Sequence, residues 1–148
     1  MIGMPGCVFC RIIRGEAPAV MLYEDELVAA FLDIAPVAPG HTLVVPKYHA
    51  ERPEELPAEY LCAMMKAAAL LAPAILEATG AEGYNLLVNA GPAAGQVVMH
   101  VHMHIIPRRR GDGLRAIHVP GERRIVSHEE LRPVGEAIRE ALTRIKGR

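Results

Sequence analysis

Residues 96–107 constrain the fold of this chain more than any other segment, and they read QVVMHVHMHIIP. At the centre of the segment three histidines alternate with three apolar residues: His100, Val101, His102, Met103, His104 and Ile105. Successive side chains of a β-strand point to opposite faces, so this period of two predicts a strand over 99–106. We expect the three imidazoles to share one face and the apolar side chains to enter a core on the other.

Apolar runs, turn residues and helix signals divide the rest of the chain. They predict one or two helical turns in 7–14, strands at 20–24, 27–33, 41–45 and 84–88, and a long amphipathic helix from Pro57 to Thr79. Ser127 and Glu130 form an S-x-x-E capping box, which predicts a C-terminal helix over about 127–146 whose start Pro133 can delay. Because strands and helices do not alternate regularly, the pattern indicates an α+β fold with a largely antiparallel sheet of about five strands.

Length, composition and charge narrow the classes of protein. With 148 residues, 51% of them hydrophobic, the chain is expected to form a single domain over 1–148 with a substantial core. Its net charge of −1 argues against a general nucleic-acid partner. The first ten residues lack a signal-peptide pattern, and the apolar stretch 61–76 contains Lys66 and Pro73 and is short for a membrane span. Three cysteines give no disulfide framework, so we expect a cytoplasmic protein without a membrane partner.

The histidine segment itself allows three chemical interpretations. The side chains could line a solvent-facing strand, they could share one transition-metal ion, or one neutral imidazole could attack phosphorus while its neighbours orient it. The preceding loop, residues 89–96, is rich in Gly and Pro and can present bare backbone N–H groups to an anion. That loop favours phosphate chemistry.

Further motifs accompany the histidines. They are Cys7-Val-Phe-Cys10, Phe31-Leu-Asp33-Ile34, Pro39-Gly-His41, Pro46-Lys-Tyr-His49, Gly95-Gln96 and Ile106-Pro-Arg108. Over residues 7–115, this set resembles the histidine triad (HIT) superfamily of nucleotide hydrolases and transferases, in its Hint-like and bacterial–archaeal branch. The resemblance implies the HIT fold, an antiparallel sheet with one long helix and a C-terminal helix.

The resemblance also implies catalytic roles. His102 would be the nucleophile that carries the nucleoside monophosphate as a phosphohistidine, and His104 would contact the phosphate beside it. His100 would fix the setting of the nucleophile. Gln96 and the backbone amides after Gly95 would hold the phosphate oxygens as charge develops.

The nucleotide would occupy a neighbouring slot. Asp33 matches a position that binds ribose hydroxyls, and Asn89 matches a polar contact near the phosphate and sugar. Six apolar residues match a purine slot, with a plain core as their alternative role: Val8, Phe9, Ile12, Phe31, Ile34 and Leu43. Val97 stands where Hint-type phosphoramidases carry a serine that binds the phosphate, and this departure weakens the transfer of that activity.

A zinc site is the second chemical prediction. Cys7-x-x-Cys10 has the spacing of a metal-ligand pair, and His49 and His100 are candidates for the other half of a tetrahedral site. The superfamily implies this same ligand set, and four protein ligands make the zinc structural. A redox dithiol, a pair of buried thiols and a metal bound by all three triad histidines are the alternatives.

The leading functional hypothesis is an enzyme that cleaves a nucleoside 5′-phosphate from a leaving group without needing a catalytic metal. Three substrate classes are considered: adenosine phosphoramidates, dinucleoside polyphosphates, and polyphosphates cleaved with inorganic phosphate as acceptor. A purine-nucleotide-binding regulatory protein is the alternative. The resemblance implies a homodimer built on the long helix and a strand edge.

Four smaller predictions concern single residues or short runs. We expect Arg108–Arg110 to be a solvated run, with steering of a polyphosphate as the alternative. Cys62 is assigned to the core, and His118 and His128 to the surface.

Overall fold

The computed structural model describes residues 4–114 and 124–147. Three α-helices and five strands follow in the order α1 (Val8–Ile13), β1 (Met21–Glu24), β2 (Val28–Leu32), β3 (Thr42–Pro46), α2 (Ala58–Thr79), β4 (Gly83–Leu87), β5 (Met103–Arg108) and α3 (His128–Lys146). Short 3₁₀ turns occupy Pro53–Glu55 and Pro92–Ala94. His118 lies outside the described residues.

The strands form one sheet in the order β1-β2-β3-β5-β4, and every neighbouring pair is antiparallel. The Asp25 carboxylate makes the first hairpin turn by accepting from the N–H groups of Leu27 and Val28 at 2.8 and 2.9 Å. Leu43 on β3 pairs with His104 on β5 at the centre of the sheet. The predicted α+β class and antiparallel sheet are confirmed.

The two faces of the sheet have different coverings. Helices α2 and α3 pack together on one face, over a core that includes Leu32, Val44 and Ile105. Phe31 and Leu43 point to the other face and pack with residues of α1 in a smaller cluster. Because side chains alternate along β2 and β3, one face supplies the main core and the other remains for a site.

The histidine strand begins later than predicted, at Met103 rather than at residue 99. Pairing with β4 ends at His104, and β3 ends at Pro46, which has no N–H to offer a further partner. The N–H of Val101 instead donates to the carbonyl of Ala50 at 2.8 Å. The alternation itself persists, since three residues lie in the main core: Val101, Met103 and Ile105.

Helix α2 follows its sequence signals closely. Pro57 precedes it, and Gly80 ends it with a φ of 73°, the left-handed conformation that glycine adopts at helix ends. By length and composition α2 is the one described helix that could cross a membrane, yet Leu71 and Ile75 are fully buried in the core. The assignment of Cys62 to the core is wrong, because Cys62 is exposed on this helix.

Helix α3 is anchored at its start and along its length. The Ser127 side chain accepts from the N–H of Glu130 at 3.2 Å, as the capping box predicts, and Pro133 does not delay the helix. At Gly135 the helix approaches β1 so closely that an added Cβ would lie 2.5 Å from a methyl group of Val20.

Candidate active site

A cavity of about 420 Å³ opens on the sheet face that α2 and α3 leave uncovered. Its size is in the range of small-molecule sites. Eleven of the predicted site residues line it: Val8, Phe9, Ile12, Phe31, Asp33, Ile34, Leu43, Gly95, Val97, His102 and His104. All six residues of the predicted purine slot therefore line the same cavity. Asn89, Gln96 and His100 are buried but do not line the cavity, and the contact predicted for Asn89 stays a prediction.

His102 has the geometry of a nucleophile. Its Nδ1 lies 2.7 Å from the backbone carbonyl of His100, and a carbonyl can only accept. Nδ1 therefore carries the ring proton, and Nε2 of the neutral ring carries the lone pair. The ring is further fixed by Phe9, which packs edge-on at a centroid distance of 5.1 Å.

A second histidine chain, which sequence reasoning did not assign to the site, orients His104. The N–H of Val37 donates to Nδ1 of His41 at 3.2 Å, so the proton of His41 is on Nε2. That Nε2 lies 2.9 Å from Nδ1 of His104 and 3.5 Å from a carboxylate oxygen of Asp33. His104 accepts at Nδ1 and therefore presents its own Nε2–H as a donor.

The signal for His41 was present in the sequence. It precedes the strand run of β3 and keeps period two with Leu43 and Val45, which lie in the cluster on the site face. The Pro39-Gly40-His41 motif was noted only as part of the resemblance, and no partner for its imidazole could be read from the chain.

The loop before the histidines is held by Gln96. Its side-chain oxygen accepts from the N–H of Gly91 at 2.7 Å, and its Nε2 donates to the carbonyls of Glu51 and Val98 at 2.8 and 3.1 Å. In this structure the side chain supports the loop and does not line the cavity, and its predicted contact with phosphate stays a prediction.

Two backbone N–H groups after Gln96 are candidate anion donors. Within the described residues, the N–H groups of Val97 and Val98 donate to no protein acceptor, and both residues line the cavity. Two adjacent amides are the kind of donor pair that binds phosphate oxygens. The Val97 side chain, 64% exposed, stands where a serine would add a further donor.

The predicted zinc ligands come together beside this site. The Sγ atom of Cys7 lies 3.3 Å from Nδ1 of His100, and Sγ of Cys10 lies 3.4 Å from Nδ1 of His49. All four ligand atoms lie within 4.8 Å of one another. Tetrahedral zinc bonds of about 2.3 Å to sulfur and about 2.0 Å to nitrogen place such atoms about 3.5 Å apart. The four residues therefore fit a structural zinc ion.

His100 is prepared for this role. Its Nε2 donates to the carbonyl of Pro46 at 3.0 Å, which leaves the lone pair on Nδ1, the atom that faces the thiols. Burial lowers the pKa of His100 to about 4, so the ring is neutral, as a metal ligand must be. Burial raises the pKa of the Cys7 thiol above its ordinary value.

The alternative of one metal on all three triad histidines finds no support in the part of the chain that the structure describes. His100 groups with the thiols, while His104 groups with Asp33 and His41. His100 nevertheless connects the two centres, because its side chain belongs to the zinc cluster and its carbonyl holds His102.

The arginine run lies at the opposite end of β5 from His102 and His104. Arg108 pairs with Asp112 at 2.8 Å and holds the pKa of that carboxyl well below its usual range. Arg109 donates to carbonyls at the end of α2, and Arg110 is nearly fully exposed. The prediction of a solvated run is therefore confirmed for Arg109 and Arg110 and is wrong for Arg108, whose side chain is half-buried. Steering of a polyphosphate is not tested by these contacts.

Comparison with known proteins identifies the class. Residues 14–111 match the sequence profile of the HIT domain, so the chain belongs to the HIT family. The adenosine 5′-monophosphoramidase hnt1 of Schizosaccharomyces pombe is 41% identical over 132 residues, which are 89% of this chain and 95% of that protein. The adenylylsulfatase HINT3 of Arabidopsis thaliana is 50% identical over 110 residues, 74% of this chain, although the match spans 56% of the plant protein.

A solved structure agrees over nearly the whole chain. A zinc-bound histidine triad family protein from Mycobacterium smegmatis superposes with a TM-score of 0.84 at 40% identity, covering 98% of this chain and 99% of that one. The predicted family and HIT fold are confirmed. The hydrolase names of the relatives also confirm the prediction of an enzyme, and the chain is a HIT-family nucleotide hydrolase.

Proposed function

We propose that the protein cleaves an adenosine 5′-phosphate from its leaving group through a covalent phosphohistidine on Nε2 of His102. The observation that carries this proposal is the 2.7 Å hydrogen bond from Nδ1 of His102 to the carbonyl of His100, which leaves Nε2 unprotonated in a residue that lines the cavity. Nitrogen with a lone pair is a competent nucleophile toward phosphorus.

The reaction would proceed in two displacements. In the first, Nε2 of His102 forms a bond to phosphorus, and the bond from phosphorus to the leaving group breaks. The leaving group takes the bonding electron pair and a proton from solvent. The ring becomes an imidazolium, whose charge is stabilised by the carbonyl of His100 at Nδ1. Nε2–H of His104 and the amides of Val97 and Val98 would hold the phosphate oxygens.

In the second displacement, water attacks phosphorus and the nitrogen–phosphorus bond breaks. The electron pair returns to Nε2 of His102, and the proton released from water balances the proton consumed in the first step. The described residues provide the nucleophile and the donors for both steps, so the chemistry needs no metal at phosphorus.

The substrate proposal combines the cavity with the relatives. Relatives named adenosine 5′-monophosphoramidase and adenylylsulfatase support an adenosine 5′-phosphate joined to an amine or to sulfate. The apolar wall around Phe9 and Phe31 suits a purine, and Asp33 suits the ribose hydroxyls. Dinucleoside polyphosphates are less favoured, because the three arginines considered for steering them, Arg108–Arg110, do not line the cavity.

The bound metal, the oligomeric state and the location of the enzyme are further proposals. We propose structural zinc on Cys7, Cys10, His49 and His100, supported by their fit and by the zinc-bound relative.

A homodimer is proposed on the exposed apolar residues Leu61 and Met65 of α2 and on the edge strand β4. A cytoplasmic location without nucleic-acid or membrane partners remains a proposal from composition.

Intact mass spectrometry after brief mixing with adenosine 5′-phosphoramidate tests the proposal. The control variant is His102→Asn, whose amide can still donate to the carbonyl of His100 but offers no atom at the place of Nε2. We expect an adenylyl adduct on the wild type alone, and turnover lower by at least about a thousandfold in the variant. Retained turnover in the variant would contradict the proposal. Neither adduct nor product, with nucleotide still bound, would instead favour a regulatory nucleotide-binding protein.

A further inference from the structure

We propose that His128, at the first position of α3, reads the purine base of the bound nucleotide through a hydrogen bond at its Nε2. The inference rests on the proposed function, since it assigns a recognition role within the same cavity. His128 was predicted to be a surface residue, but it is half-buried and lines the cavity.

The imidazole of His128 carries an unsatisfied nitrogen. Its Nε2 is buried and has no hydrogen-bond partner among the residues that the structure describes. Nearly all buried polar atoms in native proteins have such a partner, and each exception calls for an explanation such as a bound water, an ion or a functional contact. A nitrogen of this kind in the wall of a binding cavity therefore points to a partner that arrives with the substrate.

The other polar side chains of the cavity are assigned to different parts of a nucleotide. His102 and His104 line the cavity together with Val97 and Val98, whose amides are proposed to bind the phosphate. Asp33 accepts from the N–H of Ala35 at 2.9 Å and suits the ribose, and Arg11 is exposed. His128 is the remaining cavity-lining polar side chain with a buried ring atom.

A purine buried only against apolar residues would lose the hydrogen bonds that its edge makes to water. Its ring nitrogens accept and an exocyclic amine donates, and desolvating them without replacement is unfavourable. A neutral imidazole nitrogen can donate or accept according to its tautomer. Nε2 of His128 can thus pair with either kind of group on the base edge.

The position of His128 is held by its neighbours in the chain. The N–H of Val126 donates to the carbonyl of Ile34 at 2.8 Å, which places the start of α3 beside the ribose and base residues. Ser127 caps the helix, and Gly135 packs it tightly against Val20 and Leu32. The side chain is therefore presented by a fixed helix end.

Two matched variants separate hydrogen bonding at Nε2 from a structural role. In His128→Gln the side-chain amide reaches the place of Nε2, whereas in His128→Asn it reaches only the place of Nδ1. Both substitutes are smaller than histidine and polar, so neither blocks the cavity. We would titrate the full-length, zinc-loaded wild type and both variants calorimetrically with AMP and with ribose 5-phosphate, and measure thermal unfolding in the same samples.

We expect His128→Asn to bind AMP about three- to tenfold more weakly, the value of one hydrogen bond, and His128→Gln to recover most of that loss. Ribose 5-phosphate should bind all three proteins equally. Thermal stability of His128→Asn should be unchanged or higher, because a buried unpaired nitrogen is removed.

Other outcomes overturn the inference in distinguishable ways. Equal AMP affinity in all three proteins removes any role in recognition. A loss shared by ribose 5-phosphate assigns His128 to the sugar, the phosphate or the fold instead of the base. A wild type that binds no AMP contradicts the proposed function itself, and the inference fails with it.

Discussion

At the scale of single residues, the site works by fixing which nitrogen of each histidine carries the proton. The carbonyl of His100 fixes His102, and the N–H of Val37 fixes His41, which in turn fixes His104. In the proposed reaction, His102 is thereby prepared to attack phosphorus and His104 to donate to its oxygens. Two of these assignments depend on backbone partners and the third on the ring of His41, and no spacing in the sequence reveals them.

His41 is predicted to be a positioning residue for His104. His41→Asn removes the donor at Nε2, and we expect kcat to fall about ten- to a hundredfold with little change in KM. His41→Gln restores an amide near that donor position and should recover much of the rate. Steady-state kinetics with an adenosine phosphoramidate decides the matter, and equal losses in both variants would assign His41 a merely structural role.

His100 is predicted to make the metal-free protein sensitive to acid. Its folded pKa of about 4 lies below the unfolded value of about 6.5, so the unfolded state binds more protons between these values. Stability contributed by neutral His100 is present above pH 6.5 and is lost as the pH falls toward 4, by about 1 kcal/mol per pH unit.

Urea unfolding of the metal-free protein between pH 4 and pH 7 measures this effect. His100→Asn, which cannot take up a proton in this range, should show a shallower dependence of unfolding free energy on pH than the wild type. An identical slope in both proteins would show that His100 is not the group responsible.

At the scale of elements, one face of the sheet packs against the helices and the other carries the candidate active site. Period two along β2 and β3 sends Leu32 and Val44 under the helices and Phe31 and Leu43 into the site. His104 continues this alternation within β5. His102 lies just before the start of β5, outside strand pairing, and its ring bonds to the backbone carbonyl of His100.

Packing of α3 on the sheet depends on Gly135. Gly135→Val should lower the unfolding free energy by about 1–3 kcal/mol, because its Cβ would lie 2.5 Å from Val20. Gly83→Ala is the control, since a Cβ there meets nothing within 4 Å and should cost much less. Urea denaturation compares the two, and similar losses would contradict close packing at Gly135.

At the scale of the whole molecule, the four proposed zinc ligands join the amino-terminal helix to the segment that contains His102. Cys7 caps the start of α1 and Cys10 lies within that helix. His49 follows β3, and His100 precedes β5. Zinc would therefore tie three distant parts of the chain together and hold the carbonyl that orients His102.

Metal analysis of two cysteine variants tests this connection. Cys10→Ser should lose the zinc, unfold at lower temperature and turn over substrate more slowly. Cys62→Ser should keep one zinc per chain and full activity, because Cys62 is exposed on α2, outside the site. Zinc retained in Cys10→Ser at the wild-type level would contradict the proposed ligand set.

Most of the fold and much of the site were predictable because they depend on periodicity and on motifs. The sheet, the long helix and its Gly80 end follow from local patterns, and eleven proposed site residues meet in one cavity. The side-chain bonds of Gln96, the pairing of His41 with His104 and the inward position of His128 were not predictable. Each depends on where distant segments meet, as when Val126 joins Ile34.

The stereochemical course at phosphorus tests the central claim most directly. One diastereomer of an adenosine phosphoramidate with sulfur on phosphorus would be hydrolysed in ¹⁸O-water, and the configuration of the product determined. Two in-line displacements, first by His102 and then by water, predict net retention. Net inversion would show a single direct attack by water and would contradict the covalent role of His102.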